Sequence, residues 1–301
     1  MRKNGDRSGK TVDPGSLNPR MKMTKIKETT SYRPKMSDAG LSPTYQVEAV
    51  NEQGERKRID IAGELALTIH IDDEQVVTLM TLGTHPEELA LGYLRNQRLI
   101  AEIETIESVM VDWETESVHI KTVGGRVGER LKGKPTQRIV TTGCGQGMLI
   151  NCTRDEIYQT GLTPFELRQS TVFNLMKQLA PFNEIYRSAG AVHACALCSQ
   201  ERVILFVEDV GRHNAADTIA GKMWLERLSG RDKIFYTTGR LTSEIVMKAA
   251  LMEIPVILSR SGVTNMGLEL AQELGMTMVA RIKGHKLLVL NGWNHFVHDE
   301  G

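Results

Sequence analysis

RVILFVEDVGRHNAADTIAGKMWLERLSGRDKIFYTT, residues 202–238, reads as one complete strand, loop, helix and strand. Its first six residues are mostly β-branched or aromatic, and a Gly-bearing loop closes them, which is a strand signal. Residues 215–228 have the length and composition of a helix, and 233–238 return to a short apolar strand. The same alternation continues outward. Helices are expected over 243–252 and 266–274, and strands over 255–259, 276–282 and 286–290. Upstream, 191–197 is another apolar run. Strands alternating with helices specify a three-layer α/β arrangement, with the sheet between two helical layers. A further helix start is expected where Thr163 precedes Pro164 and Glu166, the pattern of a capping box.

The first half has a different grammar. Residues 45–50 run into the turn Asn51-Glu52-Gln53-Gly54, and the apolar runs 65–71 and 76–80 flank Asp72-Asp73-Glu74 as a hairpin. His85-Pro86-Glu87-Glu88 opens a helix whose apolar face carries Leu89, Leu91, Tyr93 and Leu94. A second hairpin is expected from 109–111 and 118–120, then a glycine-spaced stretch and a strand over 138–141. The organisation expected is therefore a disordered basic tail (1–43), a smaller β-rich α+β domain (44–142), a mobile Gly/Cys loop (143–150) and an α/β domain (151–301). The tail holds ten Lys/Arg against four Asp/Glu, with Tyr32 its one aromatic and no dense basic run. That composition reads as a solvated extension rather than a nucleic-acid-binding arm.

The whole chain has 301 residues, 41% hydrophobic and 25% charged, with zero formal net charge. These are the proportions of an ordinary globular protein. No run approaches the about 20 apolar residues of a membrane span, and the start lacks the apolar core of a secretion signal. A cytoplasmic location without membrane or nucleic-acid partners is expected. Four cysteines, Cys144, Cys152, Cys195 and Cys198, are too few for a disulfide scaffold, leaving free thiols, metal ligands or nucleophiles.

Cys144 lies in Thr141-Thr142-Gly143-Cys144-Gly145-Gln146-Gly147, where three glycines leave the backbone free and the sulfur unshielded. That setting suits a sulfur nucleophile that collects a group in one place and delivers it in another; the alternative is a structural Cys beside a turn. His193-Ala194-Cys195-Ala196-Leu197-Cys198 invites a zinc or redox reading. Its strand pattern, however, points Cys195 and Cys198 to opposite faces, as structural thiols. Glu208-Asp209-Val210-Gly211-Arg212-His213-Asn214 is either a buried lock or a catalytic cluster. Two loops, Thr237-Thr238-Gly239-Arg240-Leu241-Thr242-Ser243 and Ser259-Arg260-Ser261-Gly262-Val263-Thr264-Asn265, each place hydroxyls, a Gly and an Arg before a helix N-terminus, which is anion-binding hardware. Arg281-Ile282-Lys283-Gly284-His285-Lys286 is a basic turn, either a solvated hairpin or a phosphate clamp.

At these residues the chain resembles the FdhD/NarQ family, the formate dehydrogenase accessory sulfurtransferases. The resemblance is carried by Gly190-Ala191-Val192-His193-Ala194, by Glu208 through Ala215, by the Thr-Gly-Arg and Ser-Arg-Ser-Gly-Val-Thr loops, and by Glu87 through Leu94. It implies a cytidine deaminase-like fold for the second half and, as a rule, a homodimer. It also implies that sulfur passes from a cysteine desulfurase, as a persulfide, to the molybdenum of a bis(molybdopterin guanine dinucleotide) cofactor destined for formate dehydrogenase. Cys144 falls at the family's persulfide cysteine, and Arg281, Ile282, Lys283, Gly284, His285 and Lys286 fall where the family binds the cofactor. Gly239, Arg240, Ser261 and Thr264 are expected to assist there, with no metal of the protein's own. The family's loop usually reads Cys-Gly-x-Cys-Gly, and here Gly147 stands at the second cysteine. A cofactor-binding chaperone without sulfur chemistry is the alternative this favours. A zinc-dependent deaminase is the other, although Cys195 stands where such enzymes need Glu and no Pro-Cys-x-x-Cys follows.

Overall fold

In the first half, period-2 burial decides the sheet. Strand β4 (Leu65–Ile71) turns Leu67, Ile69 and Ile71 inward and pairs antiparallel with β5 (Glu74–Thr81). With β1 (Lys35–Met36), β6 (Ile106–Asp112), β7 (Ser117–Thr122) and β8 (Ile139–Val140) they form a six-stranded sheet of order β1-β6-β7-β4-β5-β8. Helix α1 (Pro86–Asn96) lies on it, and Leu89, Leu91 and Leu94 share one core with Ile69, Leu79 and Ile120. Strands β2 (Thr44–Val50) and β3 (Arg56–Ala62) form a separate two-stranded ribbon. The structure, a computed structural model, describes residues 32–125, 127–128, 139–140 and 161–299. Cys144, the expected loop 143–150 and Cys152 lie outside the described residues.

The expectation of a disordered tail through residue 43 is corrected for residues 32–43. Lys35 and Met36 pair in parallel with Ser108 and Val109. Tyr32 donates its hydroxyl to the Ile106 carbonyl at 2.5 Å, while the Ser37 hydroxyl and the Ala39 amide both donate to Glu87 Oε1. Polar side-chain and backbone bonds hold this segment, with Met36 packed against the first core, so it shows no hydrophobic period.

The second sheet runs β11 (Val203–Asp209), β10 (His193–Cys198), β12 (Ile234–Thr237), β13 (Val256–Ser259), β14 (Thr277–Lys283) and β15 (Lys286–Asn291). Strands β12, β13 and β14 are parallel; β10 is antiparallel to both its neighbours, and β15 is antiparallel to β14. Helices α4 (Arg212–Leu225), α5 (Ser243–Leu251) and α6 (Asn265–Glu273) cover one face, and α2 (Gln169–Leu179) covers the other. This is the three-layer α/β arrangement that the alternation specified. Short helix α3 (Glu184–Ala189) precedes β10.

The capping box at Thr163 does not start a helix. Residues 161–166 lack regular structure, β9 (Leu167–Arg168) pairs with β16 (Phe296–Val297), and α2 begins only at Gln169. Its start is satisfied from the far end of the chain: Ser170 donates both its amide and its hydroxyl to Asp299, at 2.8 and 2.6 Å.

Helix α4 is buried nearly all round because α1 packs on its outer side, where Trp224 and Leu225 join the first sheet's core. The described residues from Tyr32 onward form one unit. Among the described residues, no helix is long and apolar enough to cross a membrane.

Candidate functional site

Parallel β12 and β13 end side by side, so the loops that follow them are laced together. Leu241 donates its amide to the Gly262 carbonyl at 3.0 Å, Thr264 donates its amide to Leu241 at 3.1 Å, and the Ser259 hydroxyl donates to the Gly239 carbonyl at 2.7 Å. The basic turn is tied to the same place. Arg281 sits at φ 53°, inside a register shift of the β14–β15 pair, and donates its amide to the Ser261 carbonyl at 2.9 Å. A non-glycine residue in this left-handed region carries local strain, which the Ser261 bond helps to hold. Lys283 then pairs with Lys286 across a two-residue turn whose first member, Gly284, has φ 57°. A glycine at that position is what a tight hairpin of the II′ kind needs. The three sequence segments therefore meet at one sheet edge.

Two adjoining clefts open there. The larger, about 360 Å³, has Lys177, Asn183, Arg260, Lys283 and His285 as its polar groups and Phe173, Met176, Tyr236 and Ile282 among its apolar ones. Phe173 and His285 meet edge to face at 5.4 Å. The smaller, about 220 Å³, shares Asn183 and Arg260 and adds Tyr186, His193, Glu208 and Thr238. Burial pushes the Tyr236 phenol up to about 12 although Arg260 partners it, so it remains a neutral hydroxyl. Burial, then Arg212 and Arg240, hold His193 below its usual value, leaving its imidazole neutral at neutral pH. Burial raises the Glu208 carboxyl, although it accepts the Ile185 and Tyr186 amides at 3.0 Å each. Cationic side chains over a partly apolar floor suit a ligand carrying both phosphate and ring systems.

Of the expected site residues, Ile282, Lys283, Gly284 and His285 line the larger cleft, and Arg281 and Lys286 are exposed beside it. Gly239 packs beneath Arg212, since a Cβ there would lie 2.8 Å from Arg212 Cδ. Arg240 is exposed at the strand end. Thr264 is a helix cap: its hydroxyl oxygen accepts the Gly267 amide at 3.2 Å. Ser261 serves the site through the backbone carbonyl that anchors Arg281. Sequence reading did not assign Arg260, which lines both clefts, nor Phe173, Lys177 and Asn183. Arg260 was visible in the Ser-Arg-Ser loop. The others lie on α2 and the turn after it, whose start was misplaced.

The Glu208–Asn214 loop divides its labour. Glu208 faces the smaller cleft. Asp209 is a lock: it accepts from the Thr81 hydroxyl (2.6 Å), the Leu82 amide (3.1 Å), the Gly211 amide (2.9 Å) and Asn214 Nδ2 (3.0 Å). His213 Nε2 is 3.2 Å from Glu244 Oε2 without hydrogen-bond geometry. Burial, with Lys248, Arg212, His193 and Arg240, pushes that imidazole down to about 2. Cys195 packs in the core under α4 and α5, Cys198 in the core under α2. Burial pushes both thiols up to about 12. Pointing to opposite faces, the two cannot grip one metal ion, which removes the Cys-x-x-Cys support for a zinc deaminase.

The description "FdhD/NarQ family" belongs to the family model that matches residues 62–296. The chain is 28% identical over 253 residues to "Sulfur carrier protein FdhD" of Bacillus subtilis, covering 83% of this chain and 93% of that protein. It is 31% identical over 241 residues to the protein of the same name from Listeria monocytogenes, covering 77% and 90%. A solved structure of a formate dehydrogenase accessory protein from Desulfotalea psychrophila superposes with a TM-score of 0.66 at 24% identity, over 84% of this chain and 98% of that one. That last likeness concerns the fold.

Proposed function

The chain belongs to the FdhD/NarQ family, and from that premise we propose that it carries sulfur to the molybdenum cofactor of formate dehydrogenase. The Cys144 thiolate attacks the outer sulfur of a cysteine desulfurase persulfide. The new S–S bond forms on Cys144 as the desulfurase thiolate leaves, so this exchange is redox-neutral. The bis(molybdopterin guanine dinucleotide) cofactor is the substrate that receives the sulfur. The two electrons that convert sulfane sulfur to sulfide come from its metal, and the Cys144 thiolate is regenerated.

The observation supporting this reading is the pair of adjoining clefts, where Arg260, Lys283, His285 and Lys177 converge above Phe173, Tyr236 and Ile282. A dinucleotide cofactor offers the matching chemistry, with phosphates for the cations and flat rings for the apolar floor. Sulfur carriage, the activity for which the relatives are named, is the activity assigned, and the cytoplasm and a homodimer are the setting proposed.

Intact mass spectrometry after incubation with a cysteine desulfurase and cysteine tests it. One sulfur, about 32 Da, is expected on the wild type, lost on reduction and absent from Cys144→Ala. An unchanged mass, or equal addition to both proteins, overturns Cys144 as carrier. Because Gly147 replaces the second loop cysteine, that outcome favours a chaperone that holds the cofactor without touching its sulfur.

A further inference from the structure

We infer that His119, His70 and Met110, side by side on the open face of the first sheet, form a binding site for a soft metal ion of the copper(I) class. Alternation sets that face. Along β4, β6 and β7, Ile69, Ile71, Val109, Val118 and Ile120 fill the core at 0–1% exposure, so the residues between them point outward. In register, His119 stands directly opposite His70 on one neighbouring strand and Met110 on the other. The two imidazoles stack with 4.9 Å between centroids and 19° between planes, and Met110 is 37% exposed. Neighbouring strands lie about 4.7–4.9 Å apart. One ion over His119 is therefore within reach of all three side chains, once the broad χ2 torsion of His70 turns its ring edge towards it.

A hydrogen-bond relay behind His119 prepares it as a ligand. Thr115 donates its one hydroxyl proton to Asp112 Oδ2 at 3.0 Å, so at 2.7 Å its oxygen accepts from the Ser117 hydroxyl. Ser117 has then used its proton, and at 3.0 Å its oxygen accepts from His119 Nε2. The proton of the neutral ring is thereby fixed on Nε2, and Nδ1 keeps its lone pair for a metal. Metal-binding histidines are oriented in this way, through their other nitrogen. The Glu114 amide and the Thr115 hydroxyl hold the Asp112 carboxyl below its usual range, so the relay ends on a charge. Burial, then His119, holds His70 below its usual value against an opposing pull from Asp73, which leaves its imidazole neutral and able to coordinate. Among the described residues, no group of three or more His, Cys, Asp or Glu is placed to share a metal ion, so Met110 supplies the third ligand. Two imidazoles and a thioether, without thiolate or carboxylate, suit copper(I) better than calcium, magnesium or structural zinc. The site departs from the expectation of no metal of the protein's own, and it rests on the first sheet alone, not on the sulfur chemistry proposed above.

Anaerobic competition for Cu(I) against the chromophoric chelator bicinchoninate tests the site. The full-length chain is used with Cys144→Ser and Cys152→Ser, so that those thiols do not compete. One Cu(I) per chain is expected at the site. His119→Ala and His70→Ala should each weaken it at least about tenfold, and so should Ser117→Ala, which breaks the relay without touching the ion. Met110→Leu, close in volume, should weaken Cu(I) as well, whereas His298→Ala at the far end of the chain should not. His119 and Met110 are exposed and His70 is half-buried, so these variants do not depend on rebuilding a core. Absence of stoichiometric binding, or equal binding in the wild type and the His70→Ala and His119→Ala variants, overturns the site. Full Cu(I) affinity in Met110→Leu overturns the copper assignment. Loss through His298→Ala in place of His119→Ala puts the ion elsewhere and overturns the site too. Because the assay uses a chain without Cys144, its failure and that of the persulfide assay are separate results.

Discussion

Burial decides whether a histidine beside a cationic corner is reactive or inert, and for His213 it decides for inert. Its imidazole is held down at about 2 by burial and by Lys248, Arg212, His193 and Arg240. In the unfolded chain it titrates near its ordinary value of about 6.5. Below that value the unfolded state binds a proton that the native state refuses, so stability falls as pH drops. From pH 6.5 to 5 this one group should cost about 2 kcal/mol. Urea unfolding at both pH values should show the wild type losing about that much more than His213→Gln; parallel losses would mean the ring is not sealed. At this scale the sequence was legible where a local period governs: alternation along β10 put Cys195 and Cys198 on opposite faces, as found. It was illegible for Asp209, because its partners Thr81 and Leu82 lie 128 and 127 residues earlier.

Helices α1 and α4 cross closely enough that each must present a glycine. A Cβ on Gly92 would come within 1.6 Å of the Asp217 carbonyl oxygen, and one on Gly221 within 1.9 Å of that of Glu88. Neither gap is closed by a flexible side chain, so the backbones themselves would have to part. By helix propensity alone, Gly→Ala would stabilise each helix by about 1 kcal/mol; overpacking reverses the sign and costs about 1–3 kcal/mol. Thermal unfolding of Gly92→Ala and Gly221→Ala should therefore show a lower Tm for both, and an unchanged or raised Tm would show that the crossing can relax. The helices themselves were readable from composition and length, but their crossing was not, since it depends on which glycines face each other. The false start at Thr163 has the same origin. Local caps can be read locally, whereas α2 is capped by Asp299 at 2.8 Å from the Ser170 amide.

Two grammars of sequence, β-rich and then alternating, became two sheets with separate cores, yet the molecule ties them together at their shared boundary. Asp209 at the end of β11 takes donors from Thr81 and Leu82, and Asn214 Nδ2 donates to the Met80 carbonyl at 2.7 Å. Further along the same boundary, Asn96 donates to Asp217, and Lys222 donates to Glu88. Burial pushes the Asp209 carboxyl up, and its four donors pull it back. Both oxygens receive only N–H and O–H groups, so the ionised, acceptor-only form is the one the geometry accommodates. Asp209→Asn keeps the shape but turns one oxygen into an N–H₂ that faces donors. The expected cost is about 2–3 kcal/mol. If the latch couples the sheets, that loss should appear in both, as faster hydrogen exchange in β4–β7 and in β12–β14 alike, about 30-fold or more. Acceleration confined to the residues around Thr81 would mean that each sheet holds its own stability. In that case the basic clefts, which lie wholly on the second sheet and its helices, would keep their shape and anion affinity in Asp209→Asn. If the sheets unfold as one, affinity and protection should fall together as urea is raised, because the strand ends that carry Arg260 and Lys283 lose their support in the same transition.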